Sequence, residues 1–148
     1  MTRRGIRENI FLIIFKAAFN NQEEMEEQIH FTVDQIETPE EDPDDIAVAE
    51  AGCAKESEIA YIEEKSHKIL AMLPELDAKI SEISEGWQIG RLGKPELAIL
   101  RVALYEMLYD EEVPFGVAIN EAVELAKKYC NPDASGFINA VLAKVQEP

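Results

Sequence analysis

Cysteine is scarce: Cys53 and Cys130 are the two in 148 residues, and no C-x-x-C pair occurs. That excludes a disulfide-stapled scaffold. It also excludes a zinc site, which needs about four closely spaced Cys or His ligands. Histidine is equally rare, with His30 and His67 alone. Glycine-rich phosphate loops are missing, as are G-x-S-x-G, H-E-x-x-H and G-x-G-x-x-G, so the chain carries no recognisable enzyme signature. No cofactor is implied. No apolar run approaches the roughly 20 residues that cross a bilayer. The basic start Met1-Thr2-Arg3-Arg4 leads into an apolar stretch interrupted by Glu8, Asn9 and Lys16. It does not read as a signal peptide. A cytoplasmic protein with reduced thiols is expected.

Cations are also in short supply, 14 Lys+Arg against 30 Asp+Glu, for a formal charge of −16. Spread evenly, that charge would repel nucleic acid. It is not spread evenly. Residues 23–64 hold sixteen carboxylates against Lys55 alone, and the remaining 106 residues carry 13 cations against 14 carboxylates. With 47% apolar residues, the chain can bury a core and is not a disordered acidic tail.

Strand-type alternation is nearly absent, and helical periodicity recurs. A helix is expected over 3–20, with Ile6, Ile10, Ile13 and Ile14 on one face and Phe11, Phe15 and Phe19 as a second row. An acidic amphipathic helix follows over 23–37. Pro39 and Pro43 make 38–45 a loop, and 46–54 is compatible with one short helix. Ser57 reads as the N-cap of a helix to Leu73. Pro74 starts the next, up to Gly86, and residues 86–93 form a glycine-rich connector. Pro95 opens a strong helix to Asp110. Val117–Tyr129 and 134–145 are the last two, with Asp133 as a cap. About seven helices make the architecture all-α. The halves are about 1–73, with an acidic insertion at 38–56, and about 74–148.

Candidate functional residues are few. His67 and Glu63 share a helix face at i, i+4 and read as solvated surface. Glu121 and Glu124 read the same way. Arg101 and Asn139 stand among apolar neighbours and read as polar stitches between helices, Arg101 needing a carboxylate. Arg3, Arg4 and Arg7 gather at one helix end. Guanidinium groups stay charged and fork onto phosphates, so this end could contact a nucleic-acid backbone.

Three segments, Ile99-Leu100-Arg101-Val102-Ala103-Leu104-Tyr105-Glu106-Met107, Val113–Tyr129 and Phe137-Ile138-Asn139-Ala140-Val141-Leu142, join Arg3-Arg4-x-x-Arg7-Glu8 in one pattern. Together they resemble the bacterial transcription antitermination NusB family, over the N-terminal helix and roughly 91–145. The resemblance implies two three-helix bundles in a single NusB-like domain. It implies binding to the boxA element of ribosomal RNA operon transcripts, jointly with the small-subunit ribosomal protein that serves as NusE. The complex carries RNA polymerase past terminators, and some relatives form homodimers. Neither catalysis, cofactor nor membrane is implied. By position, Arg3, Arg4 and Arg7 would contact the RNA backbone. Asp133 and Phe137 would also face RNA, and Phe137 could stack a base. Glu96 would meet the basic partner, as would Phe15, which replaces a tyrosine of some relatives. Gly136 stands where a lysine is frequent, and Ala140 replaces a usual glycine. The alternative is a protein-interaction module whose acidic segment docks a basic partner, with little RNA binding.

Overall fold

The computed structural model describes residues 1–36, 55–84 and 92–148. The expected loop at 38–45, the short helix at 46–54, Cys53 and most of the 86–93 connector lie outside them. Among the described residues there are seven α-helices and no strand: α1 (Arg3–Lys16), α2 (Gln22–Asp34), α3 (Glu56–Ala71), α4 (Leu73–Ile83), α5 (Lys94–Tyr109), α6 (Phe115–Tyr129) and α7 (Ala134–Leu142). The all-α expectation holds. Two units divide the chain, Met1–Lys68 and Ile69–Pro148.

In the N-terminal unit, α1 buries Ile10, Phe11, Ile13 and Ile14, and α2 answers with Met25, Ile29 and Val33. Each such side chain contributes about 1.5–3 kcal/mol on burial. The second row of α1 is only partly buried. The helix stops at Lys16, where Ala17 and Ala18 turn back on Ile14 and Phe15 through 3₁₀-type bonds, leaving Phe19 59% exposed. Asn21 starts α2 with a full capping box. Its side chain accepts from the Glu24 amide at 2.8 Å, and the Glu24 carboxylate accepts from the Asn21 amide at 3.4 Å. Ser57 is not the cap of α3, which begins a residue earlier at Glu56. Instead the Glu58 carboxylate reaches back and accepts from the Lys55 amide at 2.9 Å. That bond, the largest cause, holds the Glu58 carboxyl below its ordinary range.

In the C-terminal unit, α5 is the central element. Residues 97–107 are buried without a break, so α5 needs neighbours all round. It packs against α4, α6 and α7, and α6 packs against α7. Arg101 does stitch helices: its Nε and Nη2 donate to the two carboxylate oxygens of Asp77 on α4, each at 2.8 Å. Asn139 does not, because it is exposed on α7. None of the helices among the described residues is long and apolar enough to cross a membrane.

Candidate nucleic-acid interface

The first turn of α1 is built by Thr2. Its extended backbone lets the hydroxyl accept from the Gly5 amide at 3.0 Å, satisfying one of the four orphan amides at a helix start. No acidic residue lies in that turn. Arg3 and Arg4 are exposed and Arg7 is half-buried. The helix dipole places partial positive charge at this same end, where a cation costs about 0.3–1 kcal/mol rather than stabilising. Arg3 and Arg4 lie against the dipole in that turn, and Arg7 follows one turn on. Together with the helix amides they suit an anion. The Met1 ammonium lies 3.4 Å from Glu58 Oε1.

Asp133 does not cap α7. Its backbone is itself helical (φ −77°, ψ −16°), and the side chain makes no cap bond, because a cap needs an extended residue to aim its oxygen at the first amides. The carboxylate is exposed instead. Its carbonyl accepts from the Phe137 amide at 3.4 Å. Phe137 is half-buried beside the fully buried Ile138.

Glu96 is half-buried in the first turn of α5. A methyl placed on Gly93 would run into its carboxylate, so the side chain folds back over the helix start. The carboxylate also accepts a hydrogen bond from the Cys130 thiol. Burial first, and Glu96 second, push that thiol up to about 11. Phe15 is half-buried, its ring 6.2 Å from Phe11 and 5.3 Å from Phe19. Close by, Lys16 donates to Thr32 Oγ1 at 2.7 Å and sits 5.1 Å over the Phe31 ring, which is 58% exposed.

The sites named from sequence thus fall into two groups. Arg3, Arg4, Arg7 and Phe15 lie in the N-terminal unit, and Glu96, Asp133 and Phe137 lie in the C-terminal one. A feature that sequence reading missed is an open groove of about 490 Å³ between α6 and α7. Gly116, Ile119, Asn120 and Val123 line it from α6, and Ser135, Gly136 and Asn139 from α7. The spacing i, i+3, i+4, i+7 on α6 was available, but those residues pass for an ordinary mixed helix face until α7 is laid beside them. His67 is surface, as read: Nδ1 lies 2.8 Å from the Glu63 carbonyl and Nε2 2.9 Å from the Glu26 carboxylate, both of them acceptors. No group of three or more potential metal ligands occurs among the described residues.

A model described as the NusB family matches residues 4–147. The transcription antitermination protein NusB of Agathobacter rectalis is 40% identical over 144 residues, covering 97% of this chain and 98% of that protein. A solved T. maritima NusB is similar with a TM-score of 0.75 at 26% identity, covering 100% of this chain and 94% of that one. A structure of antitermination factors NusB and NusE in complex with dsRNA is similar with a TM-score of 0.69 over 95% of this chain and 92% of that one. At its 22% identity that likeness concerns the fold.

Proposed function

The chain belongs to the NusB family, and from that premise we propose that it is a transcription antitermination factor that binds boxA-type RNA jointly with the ribosomal protein NusE. One observation carries the RNA half of this reading: three arginines in and just after an N-terminal turn that has no acidic residue. Phosphate contacts position a nucleic acid, and base contacts specify it. Arg3, Arg4 and Arg7 take the first role. Phe137 and the exposed Asp133 take part in the second, since single-stranded RNA is read through stacking and polar edges. The partner half rests on Phe15, with exposed Phe19 against its ring, on exposed Phe31 under Lys16, and on Glu96. The exposed carboxylates Glu23, Glu24, Glu26 and Glu27 on α2 complement a basic protein.

In this reading the chain acts as one NusB-like domain in the cytoplasm, within the antitermination complex of RNA polymerase. Its work is binding, with no catalytic step. The 38–56 segment is an acidic insertion. Its dense carboxylates favour a second reading, in which this acidic segment docks a basic protein and RNA contact is minor.

The test is binding of a boxA-type single strand with and without the ribosomal partner. Affinity should rise with the partner and fall with salt, and Arg7→Glu should weaken it while the fold is retained. Failure to bind with the partner present would sink the proposal. Deleting 38–56 separates the readings: unchanged or stronger RNA binding supports the first, and collapse of partner binding supports the second.

A further inference from the structure

We propose that the groove between α6 and α7 is a nucleobase pocket in which Asn120 and Asn139 read the edge of one unpaired base. This rests on the RNA-binding reading and adds a specificity site to it.

The lining supports a base rather than a phosphate. None of the seven residues is ionisable, in a chain where 30% of residues are charged. A phosphate would find no cation there. Each asparagine offers two N–H donors and a carbonyl acceptor, the pattern that pairs with the donor and acceptor edges of a base. The two stand on opposite walls, one per helix. Ile119 and Val123 give the α6 wall an apolar surface for the flat face of a ring. The groove, at about 490 Å³, is roomy enough for one base.

The helices sacrifice stability to keep this surface. Asparagine and glycine are poor helix formers, yet they fill four of the seven lining positions. The glycines hold the groove open. A methyl at Gly116 or Gly136 would meet no atom within 4 Å, so packing does not demand glycine at either place. Asp133 and Phe137 lie at the same end of α7, so the pocket continues a surface that the RNA reading already uses.

The experiment is a binding cycle. The full chain with its ribosomal partner is titrated against a boxA-type single strand, and against strands carrying one abasic nucleotide at each position in turn. One abasic position should weaken wild-type binding about tenfold, the effect of losing one good base contact. Asn139→Ala should weaken binding of the intact strand by a similar factor and bind the intact and that abasic strand alike. Gly136→Ala should retain the helical circular dichroism and bind the intact strand less well. Should Asn139→Ala unfold, Asn120→Ala on the other wall closes the same cycle. Intact RNA binding in which every abasic position costs the variant as much as the wild type overturns the pocket and leaves the broader function standing. Absence of RNA binding by the wild-type chain overturns both.

Discussion

Arg101 is 9% exposed and fully forked onto Asp77. Removing the carboxylate leaves a guanidinium near the core with no counter-charge. Asp77→Ala should therefore cost about 2–3 kcal/mol in urea unfolding, and the double change Arg101→Leu, Asp77→Leu less than that single one. A larger loss in the double would show that the pair is more than a mutual neutraliser. The need for a carboxylate was legible from the apolar neighbours of Arg101. Its identity was not, because Asp77 lies 24 residues away and only the packing of α4 on α5 brings it there. Cys130 carries a second prediction. With its thiol pushed up to about 11, almost none is thiolate at neutral pH, and the thiolate is the reactive form. Alkylation at mildly alkaline pH should be slow. Glu96→Gln should speed it by removing a negative charge that favours the protonated thiol, as read by peptide mass spectrometry.

Helix starts decide more of this molecule than helix interiors. Around α1 the arginines oppose the dipole, so function and stability pull apart. Arg3→Glu should raise the melting temperature, with a gain of about 0.3–1 kcal/mol, while lowering RNA affinity. A variant that loses both would mean that Arg3 serves the fold instead. The interiors were legible in part: Ile10, Ile13 and Ile14 of the α1 stripe are buried and Ile6 is half-buried, while α5 buries every residue from 97 to 107, Arg101 and Glu106 included. The ends were less so. Ser57 has the chemistry of a cap, but Glu58 reaches back to the Lys55 amide and sets the boundary. Asp133 also has cap chemistry, yet its helical backbone points the carboxylate elsewhere. Residue type proposes a cap, and backbone dihedrals decide it. The groove was invisible for the same reason that Asp77 was, since it exists only where two helices lie side by side.

For the whole molecule, salt should act in two opposite directions. A net charge of −16 repels itself, and screening relieves that repulsion, so thermal stability should rise from low to physiological ionic strength. RNA affinity should fall over the same range. Three arginine–phosphate contacts give a slope of about −2 in log K against log salt for a single strand. A flat profile would remove the arginines from the RNA contact. Resistance to opening also varies from place to place. The first turns of α6 and α7 follow Pro114 and Asp133, neither of which supplies a side-chain cap, and each turn contains a glycine of the groove. Their orphan amides open to water at small cost, so they should exchange hydrogen faster than the middle of α5. A guest seated between them would have to still these turns first. Part of its affinity would be spent on that order, and slowed exchange at two helix starts would be its footprint.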